Sequence, residues 1–194
     1  RGQPRGQGGS GRAQLMVPGD GPLPYKIAVL CVLTDDAGRV LMLHRRKPPN
    51  RDLYSPIGGK LETTIGESPT RCAQREIAEE AGIDVPIDRL HLTGVVSESA
   101  YQGSTHWLIF LYEVVGPVVV EREEFDEGRL EWHDRASLDG LPLPVSDREV
   151  IWPQFWAHRG GFFAVHIDCA DEGIAWRLEQ SHPQPAAASA QEAG

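Results

Sequence analysis

Three glutamates near the middle of the chain are spaced so that they could hold a metal ion. Glu76, Glu79 and Glu80 follow one another at i, i+3 and i+4, and at about 3.6 residues per turn this spacing puts their carboxylates on one face of a helix. Neighbouring carboxylates repel one another, and no lysine or arginine stands at a spacing that would neutralise all three. Because magnesium prefers carboxylate oxygens, the set is consistent with a magnesium site; taken alone, it is more typical of a solvated acidic surface.

The flanking residues predict where this helix begins and ends. Ser68 is a favourable N-cap, and Pro69 suits the first helical position. Gly82 is typical of a C-terminal stop. The adjacent pair Gly58 and Gly59 lacks Cβ atoms, so the backbone there can approach an ion or a phosphate. We therefore predict a helix from Pro69 to Ala81, with a buried stripe at a spacing of four residues: Ala73, Ile77 and Ala81.

Residues 58–83 resemble the signature of the Nudix hydrolase family, G-x5-E-x7-R-E-U-x-E-E-x-G-U, where U is aliphatic. The sequence matches it from Glu67 to Ile83 and departs from it between Gly59 and Glu67, where seven residues replace five. We expect the loop to bulge at 63–65 to absorb the two extra residues. The resemblance implies an α/β fold, the Nudix α/β/α sandwich with a mixed β-sheet, with one helix on each side.

The resemblance also assigns roles to individual residues. It implies that Glu76, Glu79 and Glu80 are catalytic and bind metal, and that one of them also orients or deprotonates water. The metal set is completed by the Gly59 carbonyl and by Glu127, an outlying ligand in an acidic loop. Glu67 and Arg75 would brace the loop against the helix, a structural role. The implied cofactor is Mg²⁺, for which Mn²⁺ can substitute.

The segment from Arg39 to Lys60, RVLMLHRRKPPNRDLYSPIGGK, resembles the oxidised-purine nucleoside triphosphate diphosphatases, the 8-oxo-dGTP diphosphatase or MutT-like branch. This likeness implies that Arg45 and Ser55 line the nucleotide pocket. Lys60 is placed to meet phosphate, or is a solvated lysine. Asp147 could read a purine edge, with a role as helix cap as the alternative.

These features predict a magnesium-dependent pyrophosphohydrolase that converts a nucleoside triphosphate, with an oxidised purine as one candidate, to the monophosphate and pyrophosphate. Ser55 is too short for a bidentate base contact, so we expect weak discrimination between bases. ADP-ribose, a dinucleoside polyphosphate or a nucleotide sugar are alternative substrates. Other classes are a non-catalytic nucleotide-sensing module and a partner-binding protein that uses the tryptophan-rich region around Trp152 and Trp156, although that pair is more typical of a core.

The elements that would position these residues follow the hydrophobic pattern. Residues 146–157 predict a second helix, with Ser146 or Asp147 as N-cap and a break or kink at Pro153. We predict one Nudix domain over residues 23–180, between disordered tails at 1–22 and 181–194. The predicted strands are residues 25–34, 39–44, 90–96, 106–115 and 129–132, and a final hairpin of 162–168 with 174–178.

The amino-acid composition limits the kinds of binding partner that we expect for this protein. The 194 residues carry a net charge of −9, which argues against binding a nucleic acid polymer. The three cysteines are widely separated, so neither zinc nor a disulfide framework is expected. Because no apolar run is long enough for a membrane span and the start has no apolar signal core, we expect no membrane partner and a cytoplasmic location. The expected partner is a small nucleotide, and the expected state is a monomer or homodimer.

Overall fold

The computed structural model describes residues 22–169 and 173–184. The predicted tails therefore lie mostly outside the described residues. None of the described helices is long and apolar enough to cross a lipid bilayer. The helices are α1, Pro69–Glu76, and α2, Trp152–His158; the strands are β1, Tyr25–Val32; β2, Val40–Arg45; β3, Tyr54–Ser55; β4, Leu90–Tyr101; β5, Thr105–Val114; β6, Glu124–Phe125; β7, Gly128–His133; β8, Phe162–Asp168; and β9, Ala175–His182.

The strands form two sheets. The larger has the order β1-β5-β4-β8-β9 and is mixed, because β1 pairs with β5 and β4 with β8 in parallel, while the β4–β5 and β8–β9 pairs are antiparallel. The smaller, β3-β2-β7-β6, is antiparallel. The predicted mixed sheet is confirmed. The second sheet was not predicted, because β3 and β6 have only two residues each and show no hydrophobic period.

A hydrophobic core lies on each face of the larger sheet, because successive side chains of a strand point to opposite faces. On one face Cys31 and Tyr112 pack with Ala73 of α1. On the other face Leu111 packs with Phe155 of α2. The sheet therefore has a helix on each side, as the predicted α/β/α sandwich requires.

Helix α1 begins and ends where the sequence predicts. The Ser68 hydroxyl accepts a hydrogen bond from the backbone N–H of Arg71. After Glu76 the helix widens into a π-turn over Ile77–Ala81 and stops at Gly82, which is left-handed. Such π-turns often occur at functional sites. Here the π-turn carries two of the three clustered glutamates.

The second helix corrects two predictions. Ser146 already has helical dihedral angles and forms no side-chain cap. Because the backbone N–H of Arg148 bonds the Pro144 carbonyl, the helix begins upstream of both Ser146 and Asp147, and neither is its N-cap. Pro153 does not break the helix either: a π-turn at Asp147–Ile151 runs directly into α2, and this wider turn lies just before the proline, where its ring would otherwise clash with a regular helical turn.

Two strand ends also differ from prediction. Strand β4 continues five residues beyond the predicted end at Val96, because it pairs with both β5 and β8. Strand β9 reaches His182, two residues past the predicted domain boundary at residue 180. Its pairing with β8 orders polar residues that composition alone assigned to a tail.

Candidate active site

Gly58 and Gly59 follow β3 in the sequence, and in space they pass between β1 and α1. Val29 N–H donates to the Gly59 carbonyl at 2.8 Å, which joins the loop to β1. A Cβ on Gly58, whose φ is +149°, would overlap the Val29 carbonyl oxygen, and a Cβ on Gly59 would overlap the carboxylate of Glu76. Only glycine therefore fits at position 58, where the clash is with backbone, while at Gly59 the loop backbone lies directly against the Glu76 carboxylate.

The two extra residues of the signature loop are absorbed locally. Thr63–Ile65 forms one 3₁₀ turn that ends at the left-handed Gly66. The loop then closes on itself, because Glu62 N–H donates to Glu67 Oε2 at 2.9 Å and Glu67 N–H donates to the Glu62 carbonyl at 3.2 Å. The insertion predicted at these three residues thus falls in a compact turn that is closed at its base.

Arg75 joins the loop to the helix. Its Nε and one terminal nitrogen donate to the two oxygens of Glu67, both at 2.9 Å, which is the bidentate geometry that makes arginine–carboxylate pairs strong. The Glu67 side chain is 8% exposed, and these hydrogen bonds lower the pKa of its carboxyl to about 2. The other terminal nitrogen of Arg75 donates to Glu76 at 2.7 Å and to Glu79 at 3.1 Å. One guanidinium thus meets three carboxylates.

The three clustered glutamates do not share one environment. Glu76 and Glu80 are buried, whereas the Glu79 side chain is 59% exposed. Glu80 Oε2 accepts the Gly58 N–H at 2.9 Å. Burial raises the pKa of Glu80 to about 8, with that hydrogen bond opposing the rise and the negative charges of Glu76 and Glu127 adding to it. Burial also raises the pKa of Glu76, against the lowering effect of Arg75.

The carboxylates of Glu76, Glu79 and Glu80 do not form a complete metal-binding site. Within residues 22–169 and 173–184, no three side chains of histidine, cysteine, aspartate and glutamate lie close enough to hold a metal ion. One reason is that Arg75 occupies oxygens of both Glu76 and Glu79, and Gly58 occupies one of Glu80. A metal ion would therefore have to draw these carboxylates closer together, against the hydrogen bonds that orient them.

A cavity of about 470 Å³ opens over the helix and loop. Its wall contains all the sequence-predicted site residues except Glu67, which lies behind it as the partner of Arg75. The predicted residues in the wall are Arg45, Ser55, Gly59, Lys60, Arg75, Glu76, Glu79, Glu80, Glu127 and Asp147.

Arg45 and Glu127 lie together in the cavity wall. The guanidinium of Arg45 approaches Glu127 at 3.5 Å and donates to the Pro49 carbonyl at 3.0 Å. Both side chains act on the pKa of Glu80, which Arg45 lowers and Glu127 raises. Lys60 is exposed and lies next to Gly59. Arg45 and Lys60 thus place positive charges in the same cavity wall as the glutamates of the helix.

A second polar cluster in the same cavity joins the predicted Ser55 and Asp147 to two residues that were not predicted, Glu98 and Tyr101. Glu98 of β4 is 3% exposed and lines the cavity with Asp147, Ser55 and Tyr101. The pKa of Asp147 rises to about 8, first because of burial and then because of the nearby Glu98 charge. The Tyr101 hydroxyl donates to Asn50 at 2.7 Å. Asp147 therefore lies in a buried acidic pair and does not cap the helix.

Glu98 escaped the sequence analysis because the predicted strand stopped at Val96. Along β4, Val96, Glu98 and Ala100 are all buried while the residues between them are partly exposed. The alternation places Glu98 on the same face of the strand as Val96, but Ser97, Glu98 and Ser99 are all polar, so the sequence carries no hydrophobic signal for it. By contrast, Trp152 belongs to the core of the second helix, stacked on Trp156 with ring centroids 5.7 Å apart, as its spacing indicates.

Comparison with known proteins agrees with this arrangement. The family profile described as the NUDIX domain matches residues 24–152. An uncharacterized Nudix hydrolase, YvcI of Bacillus subtilis (strain 168), is 32% identical over 124 residues, which are 62% of this chain and 73% of the relative. The structure of a mutator MutT protein from Bacillus halodurans superposes with a TM-score of 0.65 at 24% identity, covering 79% of this chain and 97% of the other. A MutT Nudix hydrolase from Burkholderia pseudomallei gives 0.53 at 28%, covering 67% and 97%.

The fold and the site thus define a hydrolase of phosphoric anhydride bonds, of a class that generally uses divalent metal cations. The chain belongs to the Nudix family. The MutT Nudix hydrolase from Burkholderia pseudomallei, at 28% identity, supports the predicted MutT-like branch.

Proposed function

We propose that this protein is a magnesium-dependent pyrophosphohydrolase that cleaves a nucleoside triphosphate to the monophosphate and pyrophosphate, with oxidised purine nucleotides among its substrates. The observation that supports this most is the single cavity that contains both the acidic helix with its basic neighbours and the separate buried cluster around Asp147. The first group suits a metal–phosphate complex. The second, lined by polar groups and aromatic rings, suits a nucleobase.

The donor set fits a hard divalent cation. Glu76, Glu79, Glu80 and Glu127 would supply carboxylate oxygens, which Mg²⁺ and Mn²⁺ prefer. The Gly59 carbonyl already accepts the Val29 N–H, so it would use its remaining lone pair. When bound, the metal polarises phosphate oxygens, neutralises charge in the transition state and makes water a better nucleophile.

The protein's own groups divide the remaining work. Glu80 lines the cavity and accepts the Gly58 N–H, so it is placed to orient or deprotonate the attacking water, whereas Glu67 lies behind the cavity wall as the partner of Arg75. Arg45 offers a planar fork of donors to phosphate, and Lys60 adds a mobile positive charge. Arg75 contacts Glu67 and Glu76 at once, which holds the helix and the loop at a fixed separation.

The test is a panel of nucleotides incubated with the protein and magnesium, with the products separated by chromatography. We expect nucleoside triphosphates to yield the monophosphate and pyrophosphate, and excess chelator to abolish the reaction. Manganese should restore activity after the chelator is removed. Full activity in excess chelator would contradict the metal requirement.

The same panel separates the alternative functions. Turnover of ADP-ribose ten times faster than that of any triphosphate would replace the proposed substrate and leave the family assignment intact. Tight nucleotide binding without hydrolysis, in the presence of either metal, would instead mark a nucleotide sensor. The panel should include dinucleoside polyphosphates and nucleotide sugars, because the same anhydride chemistry would act on them.

A further inference from the structure

The C-terminal end of the acidic helix is bonded by an arginine that lies outside the cavity wall. One terminal nitrogen of Arg122 donates to the backbone carbonyl of Glu79 and, at 3.3 Å, to that of Glu80. The last carbonyls of a helix have no partner within the helix, and a cationic side chain at this end satisfies them and complements the helix dipole. Arg122 therefore bonds the backbone of the two residues whose carboxylates line the cavity.

The turn that Arg122 bonds is the π-turn over Ile77–Ala81. The backbone N–H of Gly82 closes this turn on the Ala78 carbonyl at 3.1 Å, and the next two carbonyls along the chain are those that Arg122 bonds. A π-turn is wider than a regular helical turn, so it changes the direction in which the side chains that it carries project. The contact with Arg122 therefore acts on the part of the helix whose winding sets the directions of Glu79 and Glu80.

Gly82 leaves the space that the arginine needs. A Cβ at this left-handed position, where φ is +72°, would lie 3.3 Å from the Arg122 guanidinium. In the part of the chain that the structure describes, Arg122 forms no ion pair. The guanidinium is thus engaged with the end of the helix backbone.

Arg122 also links the helix to the hairpin that carries Glu127. It lies in the irregular segment 115–123, and strand β6 begins two residues later. Strands β6 and β7 pair directly, and the Leu130 N–H donates to the Glu123 carbonyl at 2.7 Å. Glu127 lies in the turn between these strands and lines the cavity. The base of this short hairpin is therefore attached to the end of the helix that carries Glu80.

We propose that Arg122 is a positioning residue, which holds the Glu79 and Glu80 carboxylates, and through the hairpin Glu127, at the separation that a divalent cation requires. This inference rests on the proposed function, because it assumes that these carboxylates hold the metal. Arg122 is not part of the cavity wall, so it acts through the backbone and does not touch the substrate. Groups that orient metal ligands influence metal affinity strongly.

The test measures metal binding without catalysis. Mn²⁺ is titrated into the full-length protein in the absence of nucleotide, and the EPR signal of the free ion gives the affinity. We expect Arg122→Ala to weaken Mn²⁺ binding at least ~10-fold, the scale of losing a residue that orients a metal ligand. An affinity within ~2-fold of wild type in a folded Arg122→Ala protein would overturn the inference.

The matched control is Arg89→Ala. Arg89 also bonds backbone carbonyls with its guanidinium, those of Val115, Gly116 and Pro117 at the other end of the same segment. Both variants should unfold at lower urea concentrations than wild type, but Arg89→Ala should leave the Mn²⁺ affinity unchanged. An equal loss of Mn²⁺ affinity in both variants would show that Arg122 supports the segment in general, which would contradict a role in positioning the carboxylates.

Two further measurements separate positioning from general support of the fold. Ethylguanidinium added to Arg122→Ala should restore at least ~3-fold of the lost Mn²⁺ affinity, because Gly82 leaves space for a guanidinium there; no recovery would count against the contact. If Arg122→Ala does not fold, Arg122→Lys takes its place, since it keeps a charged donor on a shorter stem. It should weaken Mn²⁺ binding ~3-fold, and an unchanged affinity in this variant would overturn the inference.

Failure of this inference is distinguishable from failure of the proposed function. Magnesium-dependent hydrolysis of triphosphates, with the same Mn²⁺ affinity in wild type and Arg122→Ala, would contradict the positioning role alone. Weakened Mn²⁺ binding in Arg122→Ala, in a protein that hydrolyses no triphosphate, would support the positioning role and contradict the proposed activity. In an active protein, Arg122→Ala should lower turnover more at limiting than at saturating magnesium and change the KM for the triphosphate less than ~3-fold at saturation. A larger change in that KM would instead indicate that Arg122 contacts the substrate and would overturn the positioning role.

Discussion

Two glutamates thirteen positions apart, Glu67 and Glu80, occupy opposite electrostatic environments. Glu67 has both oxygens bonded by Arg75 and a pKa of about 2. Glu80 is deeper, receives one hydrogen bond from Gly58 and has a pKa of about 8. The first carboxylate is ionised and satisfied by the protein itself. The second is held where its negative charge is poorly compensated.

This contrast separates two uses of the same side chain. A carboxylate whose charge the fold compensates contributes to stability, whereas one buried without compensation costs stability and is ready to accept a proton or a cation. Three variants or conditions test whether the two glutamates divide their work in this way.

The largest effect should follow Glu80→Gln. We expect at least ~100-fold loss of turnover, the scale of losing a principal electrostatic stabiliser, with no loss of stability in the metal-free protein. Turnover is measured with magnesium and the preferred triphosphate, and stability by urea unfolding. Glu121→Gln, an exposed glutamate outside the cavity, is the control and should change neither. A Glu80→Gln protein with turnover within a few-fold of wild type would contradict the assignment of Glu80 to catalysis.

A smaller and opposite effect should follow Glu67→Gln. It removes the charge that Arg75 holds with two hydrogen bonds, so we expect a loss of about 2 kcal/mol in the free energy of unfolding. Turnover should fall less than in Glu80→Gln, because Glu67 lies outside the cavity wall. Unfolding in urea and steady-state kinetics provide the two numbers. A well-folded Glu67→Gln protein with the greater loss of rate would reverse the assignments.

The smallest expected effect is on how the stability of the metal-free protein changes with pH, because Glu67 and Glu80 should change it in opposite directions. An unfolded glutamate has a pKa of about 4.3. Glu67, lowered to about 2, contributes stability above pH 4.3 that is lost as the pH falls toward 2. Glu80, raised to about 8, holds its proton in the folded state, so the stability of the protein falls as the pH rises from about 4.3 to 8.

These slopes are read from the difference between wild type and each variant, since Asp147 titrates with the same sign as Glu80. Glu80→Gln should gain stability relative to wild type as the pH rises from 5 to 8. Glu67→Gln should lose its disadvantage as the pH falls from 4.5 to 2.5. Urea unfolding at each pH gives both differences, and parallel slopes would show that the two carboxylates share one environment.

The sequence predicted those features that depend on local chemistry. The limits of the Nudix helix follow from Ser68, Pro69 and Gly82, and the structure confirms them. The contact between Glu67 and Arg75 follows from the family signature, and the structure contains it. Most of the strands follow from apolar runs. Such features involve only residues close in the chain or fixed by the signature.

What the sequence did not yield depends on tertiary pairing. Strand β4 extends to Glu98 and beyond because two neighbouring strands bond to it, which no local pattern near Val96 shows. The further hydrogen bonds from Arg75 to Glu76 and to Glu79 depend on the rotamer of the Arg75 side chain, which the sequence does not give. The start of the second helix was misplaced because Ser146 and Asp147 resemble caps by type, while their burial in the fold gives them other neighbours.

The 3₁₀ turn at Thr63–Ile65 makes this loop a place where the chain can be lengthened. Its base is clamped by the two hydrogen bonds between Glu62 and Glu67, and Ile65 at its tip is 78% exposed. The entropic cost of loop closure grows only slowly with length. A short epitope or a fluorophore-bearing peptide grafted between these two glutamates would therefore report on the neighbouring cavity while the clamp stays closed.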